Sequence, residues 1–122
     1  MSRIERINAE MKKQLSSIIP SELKDPRIEG LISIIKVDVD EDLKTMKVYL
    51  SVLGANGREK EVLKGISSAK GYIKNSLKKK VDLRALPDPV FILDDSIEYG
   101  IKISKILSDI HKSEESKRGD NE

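Results

Sequence analysis

Apolar residues at Ile4, Ile7, Met11, Leu15 and Ile18 recur at three- and four-residue spacing and predict an amphipathic first helix. Arg3, Glu5, Arg6, Glu10, Lys12 and Lys13 fall outside that stripe. Ser2 can cap the first turn, and Pro20 is expected to end the helix, since proline has no N–H to continue the ladder. Residues 21–27 then read as a loop, because Asp25 precedes Pro26. From Leu31 to Asp40 the period falls to two, with Ile35, Val37 and Val39 on one face and Lys36, Asp38 and Asp40 on the other. Thr45 to Leu53 repeats the alternation: Met46, Val48, Leu50 and Val52 point inward, Lys47, Tyr49 and Ser51 outward. The short D-E-D-L-K link at 40–44 predicts a hairpin, so the two strands should be antiparallel neighbours.

Gly54 to Gly57 reads as a loop, after which Val62, Leu63 and Ile66 open a second helical stripe. Ser67, Ser68 and Gly71 interrupt it, and Ile73, Leu77 and Val81 resume it. Pro87 and Pro89 impose another loop, and Val90 to Leu93 reads as a short apolar strand. Asp94, Asp95 and Ser96 are capping residues for a last helix from Ile97 to about Ile110, with Ile101, Ile106, Leu107 and Ile110 as its apolar side. Residues 111–122 contain no apolar side chain and are expected to form a disordered polar tail, leaving 1–110 as a single domain. The order α-β-β-α-kink-α-β-α predicts an α+β sandwich, a three-stranded sheet with helices packed on one face. The outer face, carrying Lys36, Asp38, Lys47, Tyr49 and Ser51, can meet water.

Composition narrows the chemistry. With 122 residues the chain is of one-domain size, and with one Phe and no Trp its core must be built from Ile, Leu and Val. The absence of cysteine removes disulfides, thiolate metal sites and cysteine nucleophiles, and suits the cytoplasm. The first 13 residues are charged and amphipathic, so neither a signal peptide nor a membrane span is expected there. Net charge is only +2, so the distribution matters more than the total. Acids gather at Asp38, Asp40, Glu41 and Asp42 and at Asp94 and Asp95, while no acid occurs from Lys70 to Lys80.

The lysine-rich segment is the candidate site. Lys70, Lys74, Lys78, Lys79 and Lys80, followed by Arg84, can hold an anion. Lys70, Lys74 and Lys78 recur every fourth residue and share one side of a helix. The plain alternative is that a lysine run is a solvated face. Arg3, Arg6 and Arg27 can reach phosphate or can balance nearby acids, and Arg84 can instead anchor its loop. Tyr49 and Tyr72 can stack on bases or cover apolar surface. The acidic groups are better read as hairpin and cap residues than as metal ligands. His111 is the only histidine, so no triad or zinc cluster can be assembled. No metal, cofactor or enzymatic activity is expected.

Six short pieces occur in one order: R-x-x-R-I at Arg3–Ile7, D-P-R at Asp25–Arg27, D-L-K-T-M-K-V-Y-L-S at Asp42–Ser51, G-Y-I-K at Gly71–Lys74, L-R-A-L-P at Leu83–Pro87 and F-I-L-D-D-S-I at Phe91–Ile97. With Ala69-Lys70-Gly71 at the helix break, from about Arg3 to Gly100 the chain resembles the ribosome-binding factor A family. That family has the order of a type II KH domain, with an A-x-G helix kink in place of the G-x-x-G loop. Lys74 stands where an arginine is usual, Asp40 where a serine is usual and Met46 where an alanine is usual. The resemblance implies a cytoplasmic assembly factor that binds the immature small (30S) ribosomal subunit and its 16S rRNA. It would serve late maturation and 5′-end processing of that rRNA and leave before translation. Such families are associated with growth in the cold. A monomer with no small-molecule substrate and no membrane partner is expected. Ala69 and Gly71 would form the kink, where loss of a Cβ at Gly71 lets another backbone come close and helix N–H groups favour a phosphate. Lys70, Lys74, Lys78, Lys79, Lys80, Arg3, Arg6, Arg27 and Arg84 would supply charge. A competing expectation is a protein-interaction module that docks through its sheet edge or last helix without RNA.

Overall fold

The computed structural model describes residues 1–94 and 101–111. Helix α1 spans Arg3–Glu22 and opens as expected, with Ser2 Oγ accepting the Glu5 N–H at 3.1 Å. It buries Ile7, Met11, Leu15, Ile18 and also Ile19, while Ile4 is only half-buried. Pro20 does not end it. Sitting two residues from the C-terminus and facing solvent, it removes little of the ladder, so the helix runs on to Glu22. That extension has a consequence for the site, because Glu22 thereby reaches the lysine-rich helix.

Strands β1 (Leu31–Val39) and β2 (Thr45–Leu53) pair antiparallel, as the hairpin pattern requires. Strand β3 (Asp88–Leu93) joins β2 in parallel and completes the order β1-β2-β3. β3 starts two positions before the predicted strand and includes Pro89, which an edge strand tolerates. The predicted alternation in β1 needs one correction. The register shifts between Ile34 and Lys36, so Ile32 and Ile34 share the inner face with Val37 and Val39 while Ile35 is only half-buried. A bulge of this kind inserts one residue and flips the parity of everything beyond it. Ser51 also departs from expectation: it lies on the outer side of β2 by alternation yet is 2% exposed.

Gly30, at the mouth of β1, has φ 82°, and a Cβ there would meet the Leu53 carbonyl oxygen at 2.4 Å, so only glycine fits. In the hairpin, Leu43 takes φ 60°, an arrangement that costs a branched side chain about 1–3 kcal/mol. It is held by the Leu43 N–H to the Asp40 carbonyl at 2.9 Å and by Asp42 Oδ1 accepting the Lys44 N–H at 3.0 Å. The acidic hairpin residues are thus turn residues.

Helices α2 (Glu59–Ser68) and α3 (Lys70–Lys80) are the two halves of the interrupted stripe and meet at Ala69. α2 inserts Val62 and Ile66, and α3 inserts Ile73 and Leu77, into one core with α1 and the inner sheet face. Each fully buried Ile or Leu adds about 1.5–3 kcal/mol. The last helix, α4, is described over residues 101–111, and Ile101, Ile106, Leu107 and Ile110 on it are exposed. Its expected caps at Asp95 and Ser96, its expected start at Ile97 and the tail 112–122 lie outside the described residues.

Candidate nucleic-acid interface

The lysine run divides into committed and uncommitted charge. Lys70 Nζ lies 3.0 Å from Asp88 Oδ2, and Lys74 Nζ lies 3.5 Å from Asp88 Oδ1. The two lysines do face a common anion, as their spacing predicts, but that anion is the first residue of β3. On another side of α3, Tyr72, Ser76 and Lys80 recur every fourth residue and converge on Glu22. The Tyr72 hydroxyl and Ser76 Oγ each donate to Glu22 Oε1 at 3.0 Å, and Lys80 Nζ donates to Oε2 at 2.7 Å. Lys78 and Lys79 are exposed, and among the described residues no carboxylate pairs with them.

The carboxylates register these partners. The Lys80 ammonium, followed by the Tyr72 hydroxyl, holds Glu22 below the usual carboxylate range. Lys70, followed by smaller contributions that include Lys74, lowers Asp88. Donation to Glu22 raises the Tyr72 phenol. Tyr72 is therefore already engaged through its hydroxyl although its ring is half-exposed.

The arginines separate in the same way. Arg27 closes a fork on Asp25, with Nε to Oδ1 at 3.1 Å and Nη2 to Oδ2 at 2.7 Å, and its Nη2 also donates to Ser68 Oγ at 3.1 Å. This pairing draws Asp25 down to about 2 and raises Arg27. Arg27 thus ties the D-P-R loop to the end of α2. Arg3, Arg6 and Arg84 are exposed and have no carboxylate partner among the described residues. Arg3 and Arg84 line one cleft together with Lys44, and Arg6 and Lys80 line a second. Ile7 and Leu83 line both clefts, so the two adjoin and join the start of α1 to the end of α3.

The glycines need a second correction. Gly71 lies inside α3, and a Cβ there would meet nothing within 4 Å, so no close backbone approach requires it. The break itself is at Ala69 (φ −89°, ψ 10°), with the Ala69 N–H bonded back to the Ile66 carbonyl at 3.0 Å and no side chain capping α3. The tight glycine is Gly65, buried in α2, where a Cβ would lie 2.9 Å from Ile28 Cγ1 and 3.3 Å from Arg27 Cβ.

Sequence reading missed Glu22, Asp88, Lys44 and Gly65. The Tyr72-Ser76-Lys80 spacing, three hydrogen-bonding groups on one helix side, was the available signal for an acceptor opposite α3. Among the described residues no three His, Asp or Glu side chains gather as a metal-binding group. None of the described helices is long and apolar enough to cross a membrane.

Comparison with known proteins adds ancestry to this geometry. The family model described as ribosome-binding factor A matches residues 3–107. A ribosome-binding factor A from Lachnospira eligens is 50% identical over 105 residues, covering 86% of this chain and 81% of that protein. One from Caldanaerobacter subterraneus is 42% identical over 112 residues, 92% of each. The crystal structure of ribosome-binding factor A from Thermus thermophilus superposes with a TM-score of 0.66 at 26% identity, covering 74% of this chain and 93% of that one. A homology model of the Thermus thermophilus protein, fitted into the cryo-EM map of a 30S complex, gives 0.61 at 26% identity over 72% of this chain and 91% of that one. The family match takes in α1 through β3 and most of α4, so the sheet, the helix break at Ala69 and the two adjoining clefts all sit on a shared framework: the chain belongs to the ribosome-binding factor A family.

Proposed function

We propose that this chain binds the immature small (30S) ribosomal subunit through its 16S rRNA and serves late maturation and 5′-end processing of that rRNA as a non-catalytic assembly factor. The observation that carries the reading is the group of cations that have no carboxylate partner among the described residues. Arg3, Arg6, Arg84, Lys78 and Lys79 keep their charge available for phosphate, whereas Lys70, Lys74, Lys80 and Arg27 must first exchange a carboxylate. Such contacts fix position on a shaped RNA and carry no sequence information. Gly71, exposed and with open space where its Cβ would be, leaves the start of α3 accessible to an RNA backbone, which gives the A-x-G break a role besides close packing. The family name and the Thermus thermophilus relative placed in a 30S complex support the same partner. In this reading residues 1–110 act as one monomeric, cytoplasmic RNA-binding domain.

Co-sedimentation with mature and precursor-containing small subunits tests the proposal. Preferential sedimentation with precursors, weakening steeply as salt rises, is the expected result. Absence from both fractions at low salt would refute it. One observation favours a second reading: Ile101, Ile106, Leu107 and Ile110 of α4 are each at least half-exposed, which suits docking on a protein. Binding through that face would change little with salt.

A further inference from the structure

We infer that the cleft lined by Arg3, Lys44 and Arg84 receives one unpaired nucleotide of the RNA; this rests on the RNA-binding function proposed above and names its ligand. The cleft joins three segments far apart in sequence: the first turn of α1, the hairpin turn at Asp42–Lys44, and the loop from Leu83 to Pro87. Its apolar lining comes from Ile7, Leu43, Leu83, Ala85 and Pro87. Its volume is about 250 Å³, below the roughly 300–1,000 Å³ of a small-molecule site. Three cations and one carboxylate line it, and that carboxylate, Asp42, is occupied by the Lys44 backbone N–H at 3.0 Å. Among the described residues neither guanidinium is paired. The neighbouring cleft is different: Glu10 and Asp82 balance Arg6 and Lys80 there, and Lys80 is bound to Glu22.

Excess positive charge around an apolar floor matches an anion that carries a flat apolar face. A nucleotide has both parts, and an arginine plane can stack on a base while its N–H groups reach phosphate. A paired base keeps its faces inside the helix, so the ligand must be a looped, bulged or terminal nucleotide. The start of α1 adds its own partial positive charge next to Arg3. Leu43, whose backbone conformation is held by two hydrogen bonds of the hairpin turn, is part of the floor.

Two variants separate shape from charge. Ala85→Trp fills the cleft without changing charge, and Arg3→Gln/Arg84→Gln removes charge without filling it; all three positions are exposed, and matched melting curves verify the fold. Each should bind precursor small subunits about ten-fold more weakly. The arginine variant should also lower the salt slope by about 0.7 for each single-strand phosphate it no longer neutralises, and Ala85→Trp should leave the slope unchanged. Lys60→Gln, an exposed cation on α2 outside both clefts, serves as control and should bind like the unaltered chain. Ultraviolet crosslinking of the unaltered complex should join the 83–87 peptide to an RNA nucleotide. Wild-type binding by both variants, or a crosslink from 83–87 to a ribosomal protein, would overturn the inference while small-subunit binding stands. Failure of the unaltered chain to sediment with small subunits would instead refute the proposed function. The cleft would then be decided on a labelled single-stranded oligoribonucleotide, where binding abolished by Ala85→Trp supports it and no binding overturns it.

Discussion

Helices α2 and α3 are two halves of one interrupted stripe, yet the protein holds them by different physics. α2 is held by shape: Val62 and Ile66 enter the core, and Gly65 lets the Ile28 side chain lie against its backbone. α3 also buries Ile73 and Leu77, but two carboxylates, Glu22 from α1 and Asp88 from β3, fasten it by five side-chain hydrogen bonds. The attachment of α2 should therefore respond chiefly to volume, its one proton-sensitive tie being Arg27, which bridges Asp25 and Ser68. That of α3 should respond to protons, salt and competing anions. A run of lysines is in consequence not a uniform positive surface. Where three of its members are spent inside the molecule, the free charge moves to Lys78 and Lys79 and to arginines that the run does not contain.

The sharpest way to break this contrast is volume at Gly65. Gly65→Val should destabilise the protein by about 1–3 kcal/mol in urea or thermal unfolding, because the added methyls have no room beside Ile28. An unchanged transition would mean that shape complementarity does not hold α2. At Gly71 the sign reverses. A new Cβ meets open space inside a helix, so Gly71→Ala should stabilise the fold by about 0.5–1 kcal/mol. A loss of stability there would restore the close-approach role that the sequence motif first implied.

Acid tests the two carboxylates that hold α3, Glu22 and Asp88, and also Asp25 in the loop tied to α2. Glu22, Asp88 and Asp25 are all held below their ordinary values. A depressed carboxylate contributes stability that is fully present above its unfolded value, near about 4, and is lost as pH falls through the folded value. The melting temperature should therefore decline below about pH 4, with the Asp25 share gone once pH passes its folded value of about 2. Glu22→Gln should flatten part of that decline and Gly65→Ala none of it; equal flattening by both would dissolve the distinction. Tyr72 titrates the other way. Its raised value means that its contribution is present below the ordinary phenol range and lost as pH climbs above it, so Tyr72→Phe should remove an alkaline component from the melting profile.

The smallest effect on the fold is expected at the uncommitted lysines. Lys78→Gln/Lys79→Gln should leave stability within about 0.5 kcal/mol of the parent. The same change should make the salt dependence of small-subunit binding shallower by about 0.7–0.9 for each phosphate left without its cation. Lys70→Gln/Lys74→Gln should do the opposite, altering acid stability more than the salt slope. If both pairs changed the slope equally, RNA would have to displace Asp88 on binding, and the division between committed and free lysines would hold only for the unbound protein.

Local periodicity carried most of the fold. The apolar stripe of α1, the alternation in β2, the hairpin between Asp40 and Thr45 and the break in the second stripe were all legible, because each is set by residues a few positions apart. The readings that failed depended on something distant. The bulge at Ile35 is invisible to a two-residue period, since the chain restores its inner face one residue later. Pro20 looks like a stop unless its solvent-facing position near the helix end is known. Gly71 and Gly65 are the same letter in adjacent helices, and only the loop at residues 25–28, far earlier in the chain, distinguishes them.

The candidate site divides along the same line. The sequence by itself determined that positive charge is dense from Lys70 to Lys80, that Arg3, Arg6 and Arg84 are available to supplement it, and that the motifs follow the order of one family. Which of those charges remain free was decided by the tertiary structure alone. Lys70 and Lys74 are neutralised by a residue of β3, Lys80 by the last turn of α1 and Arg27 by its own loop, while Arg3, Lys44 and Arg84 meet around one cleft. The physical reason is that a charge acts through whatever lies within a few ångströms of it. For side chains separated by tens of residues, that neighbourhood exists only once the chain has folded.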